Sequence, residues 1–309
     1  MSTLLSARDI RAIAADIGLR PTKTRGQNFV IDPNTVRSIV RAATLAESMH
    51  VVEVGPGLGS LTLGLLEAGH RVTAVEIDTL LAKRLEVTLG ERTPEPAWEV
   101  ITADALHITE LPGSPRALVA NLPYNVAVPV LLHFLATFPS LETVVVMVQS
   151  EVADRLVAAP GSRTYGVPSV KAQWYGSVSR VGTVSPSVFW PRPRVESGLV
   201  RLVRHRQGEG GTDPGDEVLG AELRMSELQG NDQFRVQLFK LIDAAFSARR
   251  KTLRVALSHW AGSSVRAEEI LTAAKVDPQA RGEILGIEDY VRICAHGVTR
   301  TNSYEGDES

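Results

Sequence analysis

The sequence predicts an α/β fold in which an open parallel sheet is followed by a smaller all-helical domain. Three observations carry this. Short β-branched runs alternate with helical stretches from residue 49 onward, a glycine-rich turn joins the first run to its helix, and no strand-like run follows the Gly-rich stretch 206–222. Repetition of strand, helix and strand implies parallel pairing through right-handed crossovers.

Residues 49–62 read MHVVEVGPGLGSLT. An apolar strand (Val51, Val52, Val54) runs into Gly55-Pro56-Gly57-Leu58-Gly59, and a helix is expected over 60–68. The glycines permit a tight turn and close approach of backbone to a ligand. Such a nucleotide-type cradle would equally suit a dinucleotide enzyme. The next strand, 71–77, carries Glu76 nineteen residues after Gly57, where a carboxylate could accept from both ribose hydroxyls. A helix over 79–89 follows, then a strand over 98–103 that ends at Asp104 and another over 117–120 that ends at Asn121. Four strands in succession thus present glycine or a polar residue at the carboxyl edge, where open α/β sheets bind ligands. Glu76 or Asp104 alone is equally well explained as a solvated strand end; their joint placement points to a site.

Asn121-Leu122-Pro123-Tyr124 leads into a helix over 129–138 and suggests a chemistry. An exocyclic amine on a nucleobase is a poor nucleophile because its lone pair is delocalised into the ring. The Asn121 side-chain carbonyl and the Leu122 main-chain carbonyl could together accept both N–H hydrogens and hold the nitrogen closer to tetrahedral. Pro123 lacks an N–H and biases Leu122 toward extended backbone, which suits a rigid turn. Tyr124 would lie against the flat base and favour positive charge on the amine. Four residues alone also fit a strand-ending turn with a buried Tyr.

Together with GQNFVID (26–32), VSPSVFWPRPRVESGLVRL (184–202) and FSARRKTLRVAL (246–257), these motifs resemble the S-adenosylmethionine-dependent ribosomal RNA adenine N6,N6-dimethyltransferases, in order over roughly residues 23–295. Departures are small: Val30 where Leu is usual, Trp190 and Arg192 within the aromatic-proline segment, and a longer stretch after Arg206. The resemblance implies a Rossmann-like class I methyltransferase sheet of seven strands with a C-terminal helical domain. It also implies an S-adenosylmethionine site in which Asn28 and Val30 close over the donor and Gly55 and Gly57 face its methionine end. Glu76 would take the ribose hydroxyls, Asp104 the adenine amine, and Asn121 would border donor and target. Phe189 would stack on the target base opposite Tyr124, a role preferred over a core position because so proline-rich a segment suits a central strand poorly.

Composition excludes other classes. With 309 residues, 44% of them hydrophobic and 22% charged, the chain can fill one large or two ordinary cores. Cys294 is the only cysteine, so no internal disulfide and no cysteine-cluster metal site is possible. The histidines show no ligand spacing, and His133 on an apolar helix reads as a core or rim residue; no metal is expected. Arg8, Asp9, Arg11 and Asp16 interrupt any signal peptide, and the longest apolar stretch, 126–135, is too short to span a bilayer. The expectation is a cytoplasmic monomer without a membrane partner.

A net charge of −2 hides local polarity. Arg192, Arg194, Arg201, Arg204 and Arg206 against Glu196 give +4 over 192–206, and Arg249, Arg250, Lys251 and Arg254 give +4 over 246–254. Arg20, Lys23 and Arg25 add to them. Such clusters can neutralise phosphates. Residues 1–206 are therefore read as the methyltransferase domain, 207–227 as a flexible acidic linker, 228–298 as a helical RNA- or ribosome-binding domain and 299–309 as a disordered tail. The expected substrate is a pair of adjacent adenosines in a 3′-terminal loop of small-subunit ribosomal RNA, within an assembling small subunit. Loop bases can be reached without opening a duplex. The rival readings are a large-subunit methylase of the antibiotic-resistance type and a ribosome-assembly factor with secondary methylation.

Overall fold

The computed structural model describes residues 4–20, 27–93, 95–205, 228, 231–248 and 250–298. The expected linker and tail lie outside them, as do Lys23, Arg25, Arg206 and Arg249. The chain divides into two compact units, Met1–Asp154 with Val178–Arg204, and Arg155–Ser177 with His205–Ser309.

The first unit opens with α1 (Ala7–Asp16), β1 (Phe29–Val30) and α2 (Pro33–Ala43). Both helices escaped the periodicity reading, yet each has a local start signal. Ser6 and Asp9 cap each other reciprocally. Asp32 accepts from the Thr35 N–H at 2.8 Å, one residue before Pro33, whose ring fits the first helical position.

The expected alternation then appears close to its expected bounds: β2 (His50–Val54), α3 (Ser60–Glu67), β3 (Arg71–Glu76), α4 (Thr79–Arg92), β4 (Trp98–Thr102), β5 (Ala117–Asn121), α5 (Ala127–Thr137) and β6 (Thr143–Gln149). These strands pair in parallel in the order β4-β3-β2-β5-β6. Val51, Val52, Val72, Val145 and Val146 are buried, which is why the central strands read as continuous apolar runs.

After α6 (Ser150–Leu156) and α7 (Val167–Gln173) come β7 (Gly176–Val184), β8 (Phe189–Trp190) and β9 (Ser197–Arg204). β9 lies between β6 and β7 and runs antiparallel to β6, with Gln149 opposite Ser197. The seven-stranded sheet is therefore mixed: the strands of the strand–helix repeat are parallel, as expected, and β9 departs from them. Residues 185–196 hold only one 3₁₀ turn and β8, too little for the crossover helix that a parallel neighbour requires. β8 pairs with β1 in a separate two-stranded sheet, and Phe29 stacks on Trp190 at 6.3 Å.

The second unit is built from α7 with α8 (Asp232–Ser247), α9 (Leu253–Ala256), α10 (Ser264–Ala273) and α11 (Ile287–Val298). The stretch 155–177, placed in the first domain from sequence, belongs here. Its Trp174 is fully buried against Phe234 at 6.0 Å, and the Tyr165 hydroxyl donates to the Leu285 carbonyl at 2.8 Å. Lys171 pairs with Asp243 at 2.8 Å. Cys294 packs as a buried small hydrophobe, and burial pushes its thiol up to about 12. Among the described residues no helix is long and apolar enough to cross a membrane.

Candidate active site

The turn after β2 is a backbone structure that favours glycine. Gly55, Gly57 and Gly59 sit at φ of 68°, 57° and 94°. At Gly57 a Cβ would also stand 2.7 Å from Cε1 of Phe29. The turn is tied to the end of β3, because the Gly57 N–H donates to Glu76 Oε2 at 3.1 Å and the Asp78 N–H donates to Oε1 at 3.0 Å. Glu76 is 5% exposed, and burial raises its pKa against the pull of these two donors.

A second carboxylate stands behind the first. Glu53 on β2 is 1% exposed and accepts from the Thr62 hydroxyl at 2.6 Å. Desolvation pushes its carboxyl up to about 8, with the nearby Glu76 charge adding to the shift, so it is mostly protonated at neutral pH. Sequence reasoning passed over it, although an acid within an otherwise apolar buried strand was the available signal.

Asp104 follows β4 and is fixed by the Leu106 N–H, which donates to Oδ1 at 2.9 Å. That bond lowers its pKa, with His107 Nδ1 adding a 3.0 Å contact to Oδ2. At the end of β5 the Asn121 side-chain amide donates to the Asn28 carbonyl at 3.0 Å. The bond orients the amide, because pinning the NH₂ group leaves Oδ1 as its free acceptor. The Val30 carbonyl accepts from Ser60 Oγ at 2.7 Å, which holds β1 over the start of α3.

One cavity of about 670 Å³ is lined by Asn28, Val30, Gly55, Gly57, Glu76, Asp104 and Asn121, together with Glu53 and Pro123. Leu122 is buried, and its N–H donates to the Met147 carbonyl at 3.1 Å, which carries the pairing of β5 with β6 one residue into the turn. Tyr124 is half-buried, with its hydroxyl 3.1 Å from Ser197 Oγ, and burial raises its pKa. Phe189 is 3% exposed within the apolar core, paired with Val30 through β8 and β1. Phe189 avoids the central sheet, as its proline-rich segment suggests, and is buried instead in the small β1–β8 sheet.

The basic clusters are only partly open. In the first unit Arg192 and Arg194 are exposed, whereas Arg201 donates to Thr44 Oγ1 at 2.6 Å. Arg204 donates to the Leu135 and Leu141 carbonyls, each at 2.7 Å, and so is spent on the end of α5. In the second unit Arg250 and Lys251 are exposed, and Arg254 pairs with Glu268 at 2.9 Å. His133 donates from Nε2 to the Ile108 carbonyl at 2.8 Å. Among the described residues no three His, Cys, Asp or Glu side chains are grouped to hold a metal ion.

Parallel strands that deliver acids, an amide and a glycine turn to one edge, continued by an antiparallel β9, give the first unit a Rossmann-like α/β fold. The family described as ribosomal RNA adenine dimethylase matches residues 19–211. The chain belongs to that family. It is 59% identical to the ribosomal RNA small subunit methyltransferase A of Kineococcus radiotolerans, over 96% of this chain and 92% of that protein. The protein of the same name from Streptomyces coelicolor is 55% identical, over 96% of this chain and 97% of its own length. In fold it resembles a dimethyladenosine transferase from Plasmodium falciparum, with a TM-score of 0.68 at 21% identity over 89% of this chain and 97% of that one. It also resembles the 23S rRNA methyltransferase ErmE, with a TM-score of 0.60 at 24% identity over 87% and 98%.

Proposed function

We propose that the protein transfers methyl groups from S-adenosylmethionine to N6 of two adjacent adenosines in a 3′-terminal loop of small-subunit ribosomal RNA, forming N6,N6-dimethyladenosine during small-subunit assembly. The observation that carries the chemistry is the Asn121 amide, oriented by the Asn28 carbonyl in the lining of the carboxylate-bearing cavity. The small-subunit substrate is supported by likeness to small-subunit methyltransferases along nearly the whole chain.

The donor set fits the cofactor. Glu76 offers carboxylate acceptors for ribose hydroxyls and Asp104 one for an adenine amine, with the backbone of Gly55 and Gly57 between β2 and α3 and with Asn28 and Val30 also in the lining. When bound, S-adenosylmethionine supplies a methyl group on a sulfonium that is already an activated leaving group. The chain therefore needs no strong general base, and its work is positioning and charge stabilisation. Asn121 Oδ1 and the Leu122 carbonyl accept the amine hydrogens, while Tyr124 supplies a ring face. The amine proton leaves to solvent after transfer. A monomethyl amine has one N–H left for two carbonyls, so the turn must accept a second pose. Arg192, Arg194, Arg250 and Lys251, with Arg249, contact phosphates, and Arg254 contributes less because Glu268 already neutralises it.

The test is methyl transfer from labelled donor to unmethylated small subunits, large subunits and DNA, followed by nucleoside analysis. Dimethyladenosine in small-subunit RNA alone is expected. Label confined to large subunits would promote the resistance-methylase reading, and no label on any substrate would leave an assembly factor. Asn121→Ala is expected to lower turnover by about 10² to 10³, the cost of losing one oriented polar group at a transition state, with RNA affinity nearly intact. Rapid accumulation of dimethyladenosine by that variant would defeat the mechanism.

A further inference from the structure

We propose that Ser197 is a positioning residue for the reaction: its buried hydroxyl anchors the tip of Tyr124 and so sets the plane of the ring against which the target adenine lies. The inference rests on the reading of Tyr124 as the base-stacking face.

The topology explains how a residue so distant in sequence reaches the turn. β9 runs antiparallel to β6, so its first residue lies where the parallel strands end, with Ser197 opposite Gln149. That corner is closed tightly. The Ser150 N–H donates to the Glu196 carbonyl at 3.0 Å, and a Cβ at Gly198 would stand 2.5 Å from the Cβ of Ala153. Ser197 is 0% exposed, and its Oγ lies 3.1 Å from the Tyr124 hydroxyl. A buried hydroxyl without a partner is costly, so the two groups hold each other.

Tyr124 is thereby fixed at both ends. At its base the turn is pinned by the Leu122 N–H on the Met147 carbonyl and by the Val126 N–H on the Pro123 carbonyl, each at 3.1 Å. At its tip stands Ser197. Stacking on a base needs only the aromatic face, which phenylalanine would supply equally well. The hydroxyl has a different use, namely to stop the half-buried ring from turning, so that the face is already in place when the base arrives. Burial also keeps the phenol neutral, so the contact is one between two hydroxyls.

The experiment compares wild type with Ser197→Ala, Tyr124→Phe, the double variant and Tyr124→Ala. It measures kcat and KM on unmethylated small subunits at saturating donor. It also follows the fluorescence quench of 2-aminopurine placed at the target position of an RNA hairpin. Loss of one neutral hydrogen bond corresponds to about a fivefold to tenfold change. Ser197→Ala and Tyr124→Phe should each lower kcat by about that factor and weaken the quench, with KM and donor affinity within about twofold of wild type. The double variant should be no worse than either single one, because both changes remove the same bond. Wild-type behaviour of Tyr124→Phe overturns the proposal, including the case in which Ser197→Ala does not fold. Independent, multiplying losses in the double variant also overturn it, since Ser197 would then act elsewhere. If Tyr124→Ala keeps full quench and turnover, the stacking reading itself fails; if only that variant is impaired, the anchor alone is wrong.

Discussion

Replacing Glu53 by glutamine should stabilise the donor-free protein, and more strongly as pH rises. The carboxyl is 1% exposed and pushed from its ordinary 4.5 up to about 8. Because the folded value lies above the unfolded one, the native state holds the proton more tightly. The associated stability is present below about pH 4.5 and is lost as pH rises toward 8. At pH 7 the gap of roughly 2.5 pH units corresponds to about 3 kcal/mol, at 1.36 kcal/mol per unit. Glutamine removes the titration but keeps the shape, and its Oε1 can still accept from Thr62, whose hydroxyl lies 2.6 Å from Glu53 Oε2. Urea unfolding of both proteins at pH 5, 6, 7 and 8 should therefore show the smallest difference, under about 1 kcal/mol, at the acid end. The difference should then grow by about 1.4 kcal/mol per pH unit through the middle of the range. Taking the difference between the two proteins cancels every other carboxylate that titrates. A difference independent of pH would refute the argument, because it would mean that Glu53 already carries its charge in the folded protein or is reached by water.

Two further outcomes probe other links. Gly57→Ala should weaken S-adenosylmethionine binding at least about tenfold and lower the melting temperature, since the new Cβ meets both a φ of 57° and Phe29 at 2.7 Å; calorimetry and thermal melting check the two effects separately. Neutralising exposed Arg250 or Lys251 to glutamine should reduce the salt slope of small-subunit binding by about 1 per lost phosphate contact while donor affinity stays constant, whereas an unchanged slope would remove that residue from the RNA surface.

Much was legible along the chain because the relevant physics is local. Strand and helix bounds followed from periodicity, the cradle from glycines, which positive φ favours, and the position of Glu76, Asp104 and Asn121 from the rule that parallel strands gather their carboxyl ends on one edge. All seven residues expected at the cofactor site line one cavity. Other facts lay between residues far apart in sequence and could not be read from either one. Arg204 looked like a phosphate ligand until Leu135 and Leu141 supplied carbonyls for it, and Arg254 looked free until Glu268 arrived beside it. The burial of Phe189 depends likewise on the pairing of β1 with β8.

The sequence by itself determined the alternating architecture, the edge that carries the chemistry and the family of the protein, since each is written in residue types at short, regular spacing. Only the tertiary structure decided that the sheet is mixed, that residues 155–177 join the helical unit, that Glu53 is buried against Thr62 and that Ser197 meets Tyr124. Burial and partnership set those outcomes. Both depend on which segments fold over one another, and a long-range contact adds no periodic signal to the chain on either side of it.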